Sequence, residues 1–274
     1  MIKADLHIHS TVSDGSDDMR AVFSAAAACG LTHLSLTEHD TASGLAEARA
    51  LSAEYGVALI PGVELSAFDY AHGNRAHILG YGLRDTEPVE RLGAPLLLRR
   101  HENSLRQIAA LSALGYDITA DEVAKKAGRH IYKQHIMHVM VEKGYADSIG
   151  GAAYRRLFKN GGPCDFDIAY IDARDAIRAV RDAGGVACLA HPGQQNNFHC
   201  VPGLVEAGLG GLELNHHANG PLHREKIGTL AAQYGLLLTG GSDHHGLYEE
   251  NSPAVGAYLC PPQTVERLLE RIGA

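Results

Sequence analysis

Two hydrophobic periods alternate along this 274-residue chain, and the switch between them sets the expected architecture. Short apolar runs of β character occupy residues 4–8, 31–37, 57–60, 76–81, 185–190, 211–214 and 236–239. Stretches with helical spacing separate them. Asp17 or Asp18 can cap a helix through residues 21–28 that Gly30 ends, and Thr41 opens another that reaches Tyr55 before Gly56. From about Pro95 to Pro163 the rhythm breaks into helix signals alone. One long helix runs to Leu114-Gly115, Thr119 and Glu122 are spaced as a capping box, and residues 130–143 have helical spacing. Strand and helix alternate again from Ile171, with residues 255–259 as a last strand and a terminal helix from Pro262. The pattern predicts an α/β chain: a βα barrel built from residues 1–98 and 164–274, interrupted by a helical insertion over 99–163.

Composition narrows the setting. Hydrophobic residues make up 45% and charged residues 20%, which suits a globular chain with a full core. No apolar stretch approaches the roughly 18 residues a membrane span needs, and no basic and apolar leader opens the chain. Five scattered cysteines without a CxxC pair predict free thiols in the cytoplasm, so a metal site here should be rich in nitrogen and oxygen. The net charge is −8, yet residues 99–165 carry eleven basic and seven acidic side chains, leaving −12 for the rest. An acidic body suits bound cations and not duplex nucleic acid. The basic middle either grips a small phosphorylated ligand or is a solvated helical face.

Candidate chemistry gathers at the edges of the apolar runs. His7 and His9 share one face of the first strand, because side chains alternate along a strand. Asp14 follows, then Glu38-His39-Asp40, Glu64 after Pro61-Gly62-Val63, and His77 ahead of Ile78-Leu79-Gly80. Ala190-His191-Pro192-Gly193 and Gly241-Ser242-Asp243-His244-His245 complete the series. A βα barrel holds its active site at the strand C-termini, so these groups are expected to converge on one polynuclear metal centre. His72, His101, His130, His138, His199 and His223 lack such a context and are expected to be surface or packing histidines. His244 should point away from the ligands, while Gly240 and Gly241 let the backbone approach them closely.

This ordered set (HxH, a downstream Asp, x-H-D, G-V-E, H-I-L-G, A-H-P-G and G-S-D-x-H) resembles the PHP (polymerase and histidinol phosphatase) superfamily over nearly the whole chain. The resemblance implies a distorted (β/α)7 barrel holding two or three divalent cations, Mn2+ foremost, with Fe2+ or Zn2+ as alternatives. It implies that His7, His9, Glu64 and Asp243 hold one metal, that Glu64 bridges to a second completed by His77 and His191, and that Asp14, His39 and His245 hold a third. Arg100, Asn103 and His135-Ile136 ahead of residues 141–145 further resemble a subgroup of nucleoside 3′,5′-bisphosphate phosphatases and a 5′-to-3′ exoribonuclease. The resemblance thus implies a phosphomonoesterase that removes the 3′-phosphate of a nucleoside 3′,5′-bisphosphate. Trimming of short 5′-phosphorylated RNA, histidinol phosphate hydrolysis, C–N bond hydrolysis and a non-catalytic scaffold are the alternatives.

Such cations would activate water and neutralise phosphoryl charge. Asp40 and His217 are candidates for the proton donor or, equally, for orienting a metal-bound histidine. Arg75 reaches a substrate phosphate or lies in a surface turn. Lys133, Gln134 and His135 begin a helix whose N-terminus favours an anion. The expected partner is a small phosphorylated nucleotide, with no membrane and no obligate protein.

Overall fold

The computed structural model describes residues 1–249 and 252–273. β1 (Ala4–Ile8), α1 (Met19–Ala28), β2 (His33–Leu36), α2 (Leu45–Tyr55) and β3 (Ala58–Leu59) open the chain. β4 (Gly62–Leu65), β5 (Ala67–Asp69), β6 (Asn74–Arg75) and β7 (Ile78–Tyr81) lead into four helices, α3 (Glu87–Ala113), α4 (Ala120–Ala124), α5 (Lys133–Glu142) and α6 (Ala152–Phe158). Alternation then resumes through β8 (Ile171–Asp172), α7 (Ala173–Asp182), β9 (Val186–Leu189), α8 (Pro192–Gln195) and α9 (Val201–Glu206). β10 (Gly211–Asn215), α10 (Pro221–Tyr234), β11 (Leu237–Gly240) and α11 (Pro262–Ile272) complete it.

Local chemistry sets most boundaries. Asp18 accepts the Ala21 N–H at 2.8 Å and starts α1, and Gly56 takes the left-handed conformation (φ 67°) that stops α2. Thr119 and Glu122 close the expected capping box on α4. Two expectations shift. Thr41 does not open α2, because its hydroxyl and the Ala42 N–H both donate to Glu90 of α3, pinning that stretch as a turn. Residues 255–259 form no strand; only a single bridge, between Ala4 and Cys260, touches β1 there.

Among the described residues the strands make three sheets, in the orders β1-β2-β3, β11-β10-β9-β7-β4 and β6-β5-β8. Single bridges from Ile8 to His244 and from His39 to Glu64 link the first two. Regular pairing does not run round a closed ring, and what the strands show is a mixed α/β architecture. β7 runs antiparallel to both its neighbours, β4 and β9. Its beginning therefore lies beside the ends of β4 and β9, which decides where His77 goes.

Apolar strand residues such as Leu6, Ile8, Val63, Leu79 and Leu189 are fully buried, each worth roughly 1.5–3 kcal/mol against exposure. α3 serves two cores. Val89 and Leu96 pack with α7, β4 and β7, whereas Ile108 and Leu111 join a separate cluster with Ile136, Met140 and Phe158. The expected boundary at residue 99 falls inside this one continuous helix. Among the described residues no helix is long and apolar enough to cross a membrane.

Candidate metal centre

β1 places His7 and His9 on one face, and both are completely buried. Glu213 of β10 holds His7 Nδ1 at 2.9 Å, which leaves Nε2 lying 3.2 Å from Glu64 Oε2 and 3.1 Å from Asp243 Oδ1. Imidazoles that bind metals are commonly fixed in this way, one nitrogen on a carboxylate and the other presented to the ion. His9 Nε2 sits 3.2 Å from both Glu64 Oε2 and Asp243 Oδ1, while its Nδ1 faces Asp14 at 3.8 Å. Glu64 is central. Its Oε1 lies 3.0 Å from His77 Nδ1 and from His191 Nε2, and its Oε2 lies 3.5 Å from His39. Asp14 completes the far side, 3.8 Å from His39 and 3.5 Å from His245.

Eight of the nine expected ligands fall in overlapping sets that could hold cations (His7, His9, Glu64, Asp243; His9, Asp14, His39, His245; and His39, Glu64, His77), and the ninth, His191, adjoins them through Glu64. Both ring nitrogens of His9, with Asp14 Oδ1, Asp243 Oδ1 and His191 Nδ1, are buried without a hydrogen-bond partner. Orphaned polar atoms are costly in a protein interior, and a divalent cation in the first of these sets would satisfy His9 Nε2 and Asp243 Oδ1 together. The donor set fits the expected metals, since carboxylates and imidazoles suit Mn, Fe(II) or Zn.

The backbone is shaped to allow this convergence. A Cβ on Gly241 would fall 2.3 Å from the His7 backbone nitrogen, so only glycine lets the Asp243 segment lie against β1. Asp40, His191 and Asp243 all adopt positive φ (62°, 25° and 53°), strain that surrounding contacts must hold. Asp5 accepts from the Ser242 and Gly256 N–H groups, and Glu38 gathers the Ser10 and Ser13 hydroxyls, folding the turn that returns Asp14. His244 points away, to Pro253 and Asp17.

Charge is finely balanced. Burial works to raise the Glu64 and Asp243 carboxyls, but His7 together with His39 or His245 outweighs it and holds both well below the usual range. Burial likewise opposes a charge on His245, yet Asp14 and Asp243 lift it to about 10; on His39 burial wins, pushing it down to about 4. The metal-free site thus carries protons that cations must displace. Mn(II) binding is expected to release protons and to weaken on acidification. Calorimetric titrations in buffers of different ionisation enthalpy count them, and zero release would contradict this picture.

A cavity of about 680 Å³ opens on the cluster, lined by Asp14, His39, Glu64, His77, His191, Asp243 and His245 and, from the insertion, by Gln134, Met137, Ile149 and Tyr154. A second cavity of about 180 Å³ shares Asp14, His39, Arg75, His77, Gln134 and Tyr154 with it and adds Arg100, Asn103, Lys133, Lys159 and Tyr170.

Residues 5–186 match the PHP domain family. The chain belongs to that family. It is 44% identical over 247 residues to phosphoribosyl 1,2-cyclic phosphate 1,2-diphosphodiesterase from Eggerthella lenta, covering 89% of this chain and 94% of the relative. It is 29% identical over 253 residues to 3′,5′-nucleoside bisphosphate phosphatase from Chromobacterium violaceum, covering 89% and 88%. A crystal structure from Bifidobacterium adolescentis, assigned as a metal-dependent phosphoesterase, superposes with a TM-score of 0.89 at 30% identity and covers 98% and 96% of the two chains. This PHP protein is accordingly a hydrolase of phosphate esters, with clustered side chains able to hold metal.

Several expected roles change within the PHP site. Both oxygens of Asp40 are taken, one by the Ser66 N–H at 2.7 Å and the other by Arg100 at 3.1 Å, and Asp40 lines neither cavity, a placement that suits an anchor for Arg100. His216, rather than His217, enters the cluster. Its Nδ1 accepts the Ala218 N–H, so Nε2 carries the proton and donates to Asp243 at 3.1 Å. The His217 ring lies tilted against His216 and 3.6 Å from Glu249, a residue with no expected role that lines the larger cavity.

Of the substrate candidates, Arg75, Arg100, Asn103, Lys133 and Gln134 line a cavity, with Gln134 donating to Asp14 at 2.9 Å. Asn103 donates to the Phe166 carbonyl and keeps a buried, unpartnered Oδ1. His135 lines neither cavity. It is fully buried, and its Nδ1 accepts the Tyr132 N–H at the start of α5, a structural assignment.

Proposed function

We propose that this PHP protein hydrolyses a phosphate ester on a ribose carrying two phosphoryl groups, with one group at the His/Asp/Glu cluster and the other in the adjoining cationic cavity. The observation that carries the reading is the pair of adjoining cavities, which share six lining residues. His7, His9, Glu64 and Asp243, then His77 and His191, then Asp14, His39 and His245 would hold the cations. When bound, divalent cations such as Mn(II) supply positive charge for a phosphoryl oxygen and acidify water. The chain's own side chains do the rest by positioning. Arg100 is held by Asp40 and Ser66 with its guanidinium over the Tyr132 ring, and Arg75 lies over Tyr170; both face the smaller cavity beside Lys133. Helices α3, α5 and α6 cap this pocket. The seven strands β1, β2, β4, β7, β9, β10 and β11 read as a distorted, interrupted barrel beneath it.

Phosphoribosyl 1,2-cyclic phosphate is the favoured substrate, because similarity to the Eggerthella relative exceeds that to the nucleotide phosphatase. The nucleoside 3′,5′-bisphosphate reading stands second. Met137, Ile149, Tyr154 and Tyr248 give the larger cavity an apolar wall that could take a base. With Mn(II), 31P NMR should show the cyclic diester consumed at a kcat/KM at least about tenfold above that for adenosine 3′,5′-bisphosphate, a difference of about 1.4 kcal/mol. The reverse order would hand the site to the nucleotide, and inertness toward both would overturn the reading.

A further inference from the structure

A second donor set lies outside the catalytic cavities, where the turn after β5 meets the helical turn Phe198–Cys200. Asp69 Oδ2 is 2.7 Å from His72 Nδ1, and the buried Cys200 thiol hydrogen-bonds the same carboxylate. Donor atoms of Asp69, His72 and Cys200 all lie within 4.8 Å of one another. The His199 ring stands edge-on to His72 at 5.5 Å, outside that set. None of the four lines either cavity.

We propose that Asp69, His72 and Cys200 form a separate site for a divalent transition metal of the zinc type, with water as the remaining ligand. One thiolate, one imidazole and one carboxylate, with a water, make the mixed N, O and S set that four-coordinate zinc accepts. Asp69 is already oriented for it. Its Oδ1 is occupied by the Arg174 guanidinium at 3.1 Å and the Ala71 N–H at 3.0 Å, which turns Oδ2 toward His72. Arg174 would also act as the outer partner that fixes a ligating carboxylate. In the metal-free protein burial and the Asp69 hydrogen bond push the Cys200 thiol up to about 12, so metal uptake releases its proton.

The placement gives the site a purpose. It would fasten the β5–β6 turn to the end of the segment that begins at His191. Along that segment Gln195 accepts the His77 N–H at 3.2 Å and Asn197 donates to the Arg75 carbonyl at 2.9 Å. A metal there clips together the two stretches that deliver His77, Arg75 and His191 to the catalytic pocket, contributing stability and leaving the chemistry alone.

Cobalt separates the two sites, because the catalytic cluster contains no thiol. The full-length protein loaded with Co(II) should show the near-ultraviolet thiolate-to-cobalt charge-transfer band, about one equivalent per chain. Cys200→Ser should abolish that band, and His72→Ala, at a partly exposed position that does not threaten the fold, should weaken cobalt binding at least about tenfold. Both variants should keep Mn(II)-supported phosphoesterase activity. Absence of the band in the wild-type protein, its persistence in Cys200→Ser, or indifference to His72→Ala would each overturn the proposal.

Discussion

Glu64→Gln is expected to lower kcat/KM for phosphate ester hydrolysis on the order of 10³-fold while leaving the circular dichroism spectrum unchanged. Glutamine preserves the shape of the side chain and removes its charge. That charge stands within 3.0–3.5 Å of five imidazoles, those of His7, His9, His39, His77 and His191. No other carboxylate of the cluster touches so many, which is why we propose it as the bridge between neighbouring cations. Losing the cation-supported stabilisation of phosphoryl charge costs several kcal/mol, which is the stated rate factor. The loss should appear in kcat together with metal retention. A variant that kept both its metal and its rate would show that Glu64 is a packing residue.

Arg100→Ala is expected to cost about 3 kcal/mol of folding stability, or about 6 °C in Tm for a chain of this size. The guanidinium is the partner of a carboxylate that is completely buried, and its removal strands Asp40 without a counter-charge. Arg100 keeps 20% of its side chain exposed, which places the cost at the lower end of the range for broken buried pairs. Pairing the change with Asp40→Asn should restore most of the loss, since the unpaired charge goes too. Thermal unfolding of the four proteins in a double-mutant cycle measures the coupling. Additive losses would mean that the two side chains act independently.

The catalytic cluster was legible because its chemistry follows strand edges. His7 and His9 lie two apart on a strand, and Glu64, His191 and Asp243 come at or just beyond strand ends, so alternation and termini were enough to gather them. His77 precedes its strand and still arrives, because β7 is reversed relative to its neighbours, and nothing in residues 76–81 signals strand direction. Closure of the expected ring depends on pairing between distant segments, and the pattern of apolar runs carries no information about it.

Residues that support the ligands were harder to see. Glu213 sits between Leu212 and Leu214 inside an apolar strand, and a lone carboxylate in such a run is itself the signal of a buried polar partner. Asp5 between Ala4 and Leu6 carried the same mark. The surroundings of Asp40 and His135 were hidden for a different reason. Their sequence neighbours suggested reactivity, while their roles are set by Arg100 and by the Tyr132 N–H, contacts made by folding alone. That the His72 and His199 rings meet was hidden because residues of turns have no periodicity to betray it.

Anomalous diffraction at the manganese edge, from crystals grown with Mn(II), tests the central claim most directly. At least two peaks should flank the Glu64 carboxylate within coordination distance of His7, His9, His77 and His191, and Glu64→Gln crystals should lose at least one of them. A wild-type map with no manganese beside Glu64 would contradict the account.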